Sequence, residues 1–422
     1  MNVAEQIVAQ LVDAGVHRIY GIVGDSLNPI VDAVRKTGGS KKGGIDWIHV
    51  RHEEAAAFAA SAEAQLTGKL AVCAGSCGPG NLHLINGLYD ANRTGAPVLA
   101  IASHIPSVQI GSTYFQETHP DRIFEECSVY NELISSAAQS PRTVNSAIRH
   151  AVGLGGVSVI TLPGDVSDLK AVEHVPTYAP ARPATLAPNP ADIDEAAALL
   201  NKADKVAIFA GAGVEGAHDE VIALADALKA PIGHSLRGKH FIQYDNPFDV
   251  GMTGLLGYGA AAEGMNDADV LILLGTDFPY DQFLPDTPTI QVDTHAEKLG
   301  RRTDVGLAIH AQVKPFIEAL LPHLHAGRSD SFLKSKIKKH SEIMHAPVGA
   351  YTRNVEKMRP IHPEYAAHLL NETAAKDAIF TADTGMCNVW TARYIDPLGT
   401  RRLIGSLLHG SMANALPMAL GA

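Results

Sequence analysis

Residues 70–81 read Leu70-Ala71-Val72-Cys73-Ala74-Gly75-Ser76-Cys77-Gly78-Pro79-Gly80-Asn81. The five apolar residues have the length and composition of a buried strand. Three glycines and a proline then impose a constrained turn with exposed backbone N–H groups, open to a ring or an anion at close range. Leu82–Leu88 continues as a helix pattern. A strand, a glycine turn and a helix in this order form the repeating unit of an α/β fold. On this stretch alone, a tight connection without a ligand explains the turn equally well.

The same alternation extends on both sides. Short apolar runs at Arg18–Val23, Asp46–Val50, Val98–Ala102 and Val157–Leu162 are separated by helical stretches, which predicts a parallel sheet over residues 1–180. Prolines 176, 180, 183, 188 and 190 continue neither element, and a linker is expected at 181–188. A second segment, 189–330, begins with a helix at Ala191–Asn201 and has strands at Val206–Ala210, Pro231–His234, Val270–Leu274 and Thr289–Val292. Residues 331–359, with Lys334, Lys336, Lys338 and Lys339, are expected to be a solvated linker helix. A third segment, 360–422, has strands at Ala378–Ala382 and Arg402–Ile404. Its final residues fall inside an apolar helix-like run, so the expectation is that this third domain is incomplete. The predicted class is α/β, with three consecutive parallel-sheet domains.

Composition narrows the function. The 422 residues are 46% hydrophobic and 19% charged, a globular balance, with a net charge of −11 that disfavours nonspecific nucleic-acid binding. Four cysteines (Cys73, Cys77, Cys127, Cys387) and no secretory pattern at the start predict a cytoplasmic setting and thiols used as small core residues. No apolar run reaches the ~18–20 residues of a membrane span.

Three motifs carry candidate chemistry. Arg51-His52-Glu53-Glu54 joins a strand end to an Ala-rich helix, where α/β folds place functional groups, although first-turn acids also occur for the helix dipole alone. The turn at residues 75–81 is the second. The third, Gly211-Ala212-Gly213-Val214-Glu215-Gly216, matches G-x-G-x-x-G directly after a strand. The nicotinamide version wants an acid ~20 residues on at the end of the next strand. Ser235-Leu236-Arg237 stands there instead, and Asp226 lies in a helix pattern, which argues against NAD. Asp293 ends a later strand and suits ribose hydroxyls, and Gly turns at 251–254 and 275–279 add loops suited to a long dinucleotide such as FAD. Among twenty histidines no H-E-x-x-H pattern or close pair with ligand spacing occurs, so no metal ligands are predicted within the chain. No G-x-S-x-G elbow is present.

Together, Arg51–Glu54, Cys73–Asn81, Tyr114-Phe115-Gln116-Glu117, Gly251–Gly254, Gly275–Pro279, Asp293 and His409-Gly410-Ser411-Met412-Ala413-Asn414-Ala415 resemble the thiamine-diphosphate-dependent pyruvate oxidase family, the quinone-linked bacterial pyruvate dehydrogenases in particular. The resemblance implies a pyrimidine-binding domain, a central FAD domain and a diphosphate-binding domain. It implies that Glu53 contacts the aminopyrimidine and promotes its imino tautomer, and that Phe115 and Gln116 lie near pyruvate. Gly78, Asn81, Asp383, Gly385, Gly410, Ser411 and Met412 would hold thiamine diphosphate, with Met412 as the wedge that bends it. FAD would be held by Gly211, Gly213, Gly251, Met252, Thr253, Gly254, Gly275, Thr276, Asp277, Phe278, Pro279 and Asp293.

The implied reaction oxidises pyruvate to acetate and CO2, with electrons passing to FAD and then to a quinone. The family's Mg2+ ligands are expected beyond residue 422, and any peripheral membrane contact only in a longer form. A homodimer or homotetramer is implied. Acetolactate synthase and oxygen-using pyruvate oxidase are the enzymatic alternatives; a noncatalytic flavin-binding or subunit-interaction chain is an alternative of another kind.

Overall fold

The computed structural model describes residues 1–173 and 184–422, so the proline-rich stretch at 176–183 lies outside the described residues. The chain divides into two compact units. The first holds residues 1–173 with Thr381–Thr384 and Ile404–Ala422; the second holds residues 184–380 with Gly385–Leu403.

In the first unit, six parallel strands stand in the order β2-β1-β3-β4-β6-β5. They are β1 (Arg18–Gly21), β2 (Asp46–His49), β3 (Ala71–Gly75), β4 (Val98–His104), β5 (Tyr130–Leu133) and β6 (Val157–Pro163). β3, β4 and β6 are buried along their whole length, as expected of near-continuous apolar runs covered on both faces. One face packs against helices Val3–Asp13, Asn28–Lys36 and Ser140–Leu154 through Ile7, Leu11, Ile30 and Ile148. At roughly 1.5–3 kcal/mol for each large side chain removed from water, this layer is a main stabilising contribution. The other face carries helices Glu53–Thr67 and Pro79–Thr94. Here alanines at 56, 57, 59, 60 and 64 replace large side chains, and the helices approach closely: a Cβ on Gly87 would lie 2.5 Å from the Ala57 Cβ.

The second unit is a seven-stranded sheet ordered β10-β9-β8-β7-β11-β12-β13. Its strands are β7 (Val206–Ala210), β8 (Ile232–His234), β9 (Asp249–Met252), β10 (Tyr258–Gly259), β11 (Val270–Leu274), β12 (Thr289–Asp293) and β13 (Leu307–His310). Only the β9–β10 pairing is antiparallel. The chain moves outward from β7 in one direction and then in the other, so the loops after β7 and β11 meet at a topological switch point.

The α/β class is what the structure has, and two features differ from expectation. Helix Ser331–Ile343 is not a solvated face throughout: Leu333 and Lys336 are buried on the second unit, with Lys336 Nζ paired to Glu263 (2.7 Å) and Asp267. Residues 360–422 form no compact unit of their own and divide between the two units. Their strands β14 (Ile379–Ala382) and β15 (Arg402–Gly405) make a sheet of two, too small to enclose a core. Within the first unit, helix Ala415–Gly421 lies on helix Glu53–Thr67, where Met418 joins Phe58, Ala62 and Ile404.

Candidate active site

In the first unit, the C-terminal ends of β1 to β4 bring together residues from four loops. Glu53 follows β2 as the first residue of its helix and is buried, 7% exposed. Its Oε2 lies 3.0 Å from Nδ1 of His83, on the helix that begins at Pro79. Its Oε1 faces Gly80, where an added Cβ would lie 3.1 Å away. His52 precedes the helix and caps it, Nδ1 accepting the Glu54 N–H at 3.2 Å. The His52 and His83 rings are stacked with centroids 4.3 Å apart.

The glycine turn is tightly built. A Cβ on Gly75 would lie 2.7 Å from the Gly80 carbonyl, and one on Gly24, after β1, would lie 2.3 Å from Ser76 Oγ. Ser26 Oγ meets the hydroxyls of Ser76 (2.9 Å) and Ser103 and accepts the Cys77 N–H at 3.0 Å. Asn81 is fully buried and donates to the Ser103 carbonyl at 2.7 Å, so it also ties the helix start to β4.

The loop after β4 carries Phe115, 78% exposed, and Gln116 at φ 64°. Gln116 Oε1 accepts from the Cys77 thiol at 3.3 Å. Glu117 fastens this loop by accepting the N–H groups of Gly111 and Tyr114, and the Gly111 bond holds its carboxyl below the ordinary range.

Residues 409–412 stand against the same helices. Asn86 donates to Glu54 and to Ser411 Oγ (2.9 Å) and accepts from His409 Nε2 (2.8 Å). The Ser411 N–H donates to Ser406 Oγ, Gly410 has φ 79° and Met412 is 73% exposed. Asp383 Oδ1 accepts the Ala415 N–H at 2.7 Å. Gly385 belongs to the second unit, where it precedes helix Met386–Tyr394 at φ 132°.

The predicted dinucleotide residues of the second unit gather at its switch point. A Cβ on Gly211 would lie 2.3 Å from the Gly275 carbonyl, and one on Gly213 2.6 Å from the Gly275 Cα. These glycines therefore let two strand-end loops touch backbone to backbone. Gly251 and Gly254 have φ 91° and 100°, and Gly254 lies against the buried Phe278 ring. Met252 is buried, Thr276 offers its carbonyl to Gln291 Nε2 and Pro279 is exposed. Asp277 is paired with Arg301 and Arg302, and Asp293 accepts the His295 N–H at 2.9 Å. Thr253 Oγ1 is buried without a hydrogen-bond partner.

Among the cysteines, Cys73, Cys77 and Cys127 are buried as expected and Cys387 is partly so. Burial pushes the Cys73 and Cys127 thiols up to about 12, which leaves them unreactive. No helix among the described residues is long and apolar enough to cross a membrane. Sequence reasoning missed His83, Asn86 and Ser26. Their partners are distant in the chain, and the one local sign is that His83 and Asn86 share a helix face three residues apart.

The thiamine pyrophosphate enzyme family matches in three parts: the N-terminal TPP binding domain over residues 1–123, the central domain over 193–320 and the C-terminal TPP binding domain over 383–422. An uncharacterized 42.6 kDa protein of Pseudomonas amyloderamosa is 54% identical over 79% of this chain and 83% of its own length. A Bacillus subtilis protein whose name describes it as thiamine pyrophosphate-containing is 35% identical over 99% of this chain and 72% of its own length. Pyruvate oxidase of Lactiplantibacillus plantarum is 30% identical over 97% and 68%, and acetolactate synthases match at 29%. The chain belongs to the thiamine pyrophosphate enzyme family.

Proposed function

We propose that this chain carries out the oxidative decarboxylation of pyruvate to acetate and CO2 with thiamine diphosphate, its electrons passing to FAD and then to a quinone. The overall change is pyruvate plus water giving acetate, CO2, two protons and two electrons. The observation that carries the reading is the Glu53 carboxyl, buried at a helix start, with one oxygen on His83 and the other kept accessible by Gly80. These residues fit an aminopyrimidine, because a side chain at position 80 would fill the space in front of Oε1.

When bound, thiamine diphosphate supplies the electron sink that decarboxylation of a 2-keto acid requires. In this reading Glu53 holds and moves a proton at the ring nitrogen it contacts, a task suited to a carboxyl shielded from water. Gly78 and Asn81 shape the cradle, and Asp383, Gly410, Ser411 and Met412 contribute the remaining contacts, with Mg2+ accompanying the diphosphate. Phe115 offers an apolar contact and Gln116 an amide to pyruvate. In the second unit, the unpartnered Thr253 hydroxyl and the Asp293 carboxylate fit a polar ligand such as FAD. The other FAD residues are Gly211, Gly213, Gly251, Met252, Gly254, Gly275, Thr276, Asp277, Phe278 and Pro279. A homodimer or homotetramer and a peripheral encounter with a quinone-bearing membrane belong to the same reading.

The test supplies pyruvate, thiamine diphosphate, Mg2+, FAD and a soluble electron acceptor, and measures product together with acceptor reduction. Acetate formed in step with reduced acceptor is expected. Acetolactate without reduction, or acetyl phosphate with peroxide, would replace this reading with the synthase or the oxygen-using oxidase.

A further inference from the structure

We propose that His52, Glu53 and His83 form a binding site for a zinc-type divalent cation, whose occupation withdraws the Glu53 carboxyl from its cofactor. The second clause rests on the function proposed above; the site itself does not. Among the described residues this is the only group of three or more potential ligands that converges, each residue offering one ligand atom and all of these atoms lying within 4.8 Å of one another.

The donor set decides the metal. Two imidazole nitrogens and one carboxylate oxygen, with the fourth position open to water, are the ligands of open zinc centres. Nitrogen donors favour zinc, cobalt, nickel or copper over magnesium, which prefers an all-oxygen shell. The proposed ion is therefore chemically distinct from the Mg2+ that accompanies a diphosphate.

Part of the geometry is already in place. His83 Nδ1 and Glu53 Oε2 are 3.0 Å apart, close to the ~3.3 Å edge of a tetrahedron built with zinc–ligand bonds of about 2.0–2.1 Å. An ion replacing the proton between them needs little movement of either group and releases that proton. Glu53 is fixed by burial at its helix start, while the His52 and His83 side chains are about half exposed. Binding through His52 Nδ1 costs its 3.2 Å bond to the Glu54 N–H. Two helix starts are a poor electrostatic setting for a cation. The Glu54 carboxylate, 3.9 Å from His52 Nδ1, offsets this.

The chain without cofactor is titrated with Co2+, read by the visible absorption of tetrahedral cobalt, and with Zn2+ by calorimetry. One equivalent is expected, with affinity falling at least tenfold in His52→Ala and in His83→Ala. The control is His368→Ala, which removes a distant exposed histidine–carboxylate pair (3.3 Å from Glu372) and leaves binding unchanged. Thermal unfolding without metal verifies that the variants are folded. Binding that survives His83→Ala, or that is lost in His368→Ala, overturns the site. Thiamine diphosphate added with excess Mg2+ then displaces the cobalt if Glu53 serves both ligands. Retention of cobalt alongside bound cofactor leaves the metal site standing and overturns the competition for Glu53.

Discussion

Gln116 and Gly78 face each other with both backbones in the left-handed region, at φ 64° and 67°, and a Cβ on Gly78 would lie 2.9 Å from both the Gln116 Cβ and its carbonyl oxygen. The glycine turn and the loop after β4 therefore interlock by backbone contact, and the glycine is what allows a strained glutamine to sit there.

Gly78→Ala combines an unfavourable φ with a contact that is too short, and neither backbone can yield cheaply. A stability loss of about 1–3 kcal/mol is expected, with the Phe115–Gln116 loop displaced. Pyruvate KM rises more than kcat falls, because the chemistry at Glu53 is left in place. Thermal unfolding and steady-state kinetics of the variant check both parts; unchanged stability contradicts the interlock.

Gly87→Ala tests the small-residue packing of helices Glu53–Thr67 and Pro79–Thr94. Its methyl would lie 2.5 Å from the Ala57 Cβ and 2.9 Å from the Phe58 nitrogen. Overpacking of this kind costs about 1–3 kcal/mol, more than the helix-propensity gain of up to ~1 kcal/mol. A lower unfolding midpoint for the first unit is expected.

Arg401 is 4% exposed and its guanidinium closes the end of helix Pro363–Thr373, donating to the carbonyls of Asn371 (2.9 Å), Ala374 (3.0 Å) and Ala375 (3.1 Å) and to Asn371 Oδ1 (2.7 Å). A lysine there keeps the charge and loses the planar fork. Arg401→Lys is expected to destabilise the second unit by about 2–3 kcal/mol, measured as a shift in its denaturant midpoint.

His234 and His240 give the second unit an acid limit. Burial lowers both imidazoles to about 4. For His234, Lys239 and His340 add to this effect while Asp249 and the Ser235 carbonyl oppose it; for His240, Arg402, Arg237 and Lys239 add to it. Both rings are thus neutral when folded, and the unfolded chain takes up protons first as pH falls through 6.5. Stability is full above that pH, falls between 6.5 and about 4, and levels below. The loss is on the order of 3 kcal/mol per imidazole. Unfolding midpoints over this range check it, and His234→Gln is expected to flatten the slope.

Much of the two sheets was legible because most of their strands are short apolar runs. Val206–Ala210 and Val270–Leu274 were placed to the residue, and β1, β2, β3, β4 and β6 nearly so. Four strands were missed: β9 runs into the glycine stretch read as a turn, β10 is two residues long, and β5 and β13 have diluted patterns. β5 reads Tyr-Asn-Glu-Leu at a sheet edge, and β13 alternates buried and exposed residues over four positions. Glu53 was legible from its place after a strand, whereas its partner His83 is thirty residues away and its only local sign is the helix face it shares with Asn86. The division of residues 360–422 between two units was not legible either, since local patterns show strands and helices but not which core they join.

The most direct test of the account is the rate at which the thiazolium C2 proton of bound thiamine diphosphate exchanges with deuterium, followed by proton NMR in the wild-type chain and in Glu53→Gln. The account predicts exchange accelerated by the wild type and about 100-fold or more slower in the variant, at equal cofactor occupancy. Exchange in Glu53→Gln at the wild-type rate would contradict it.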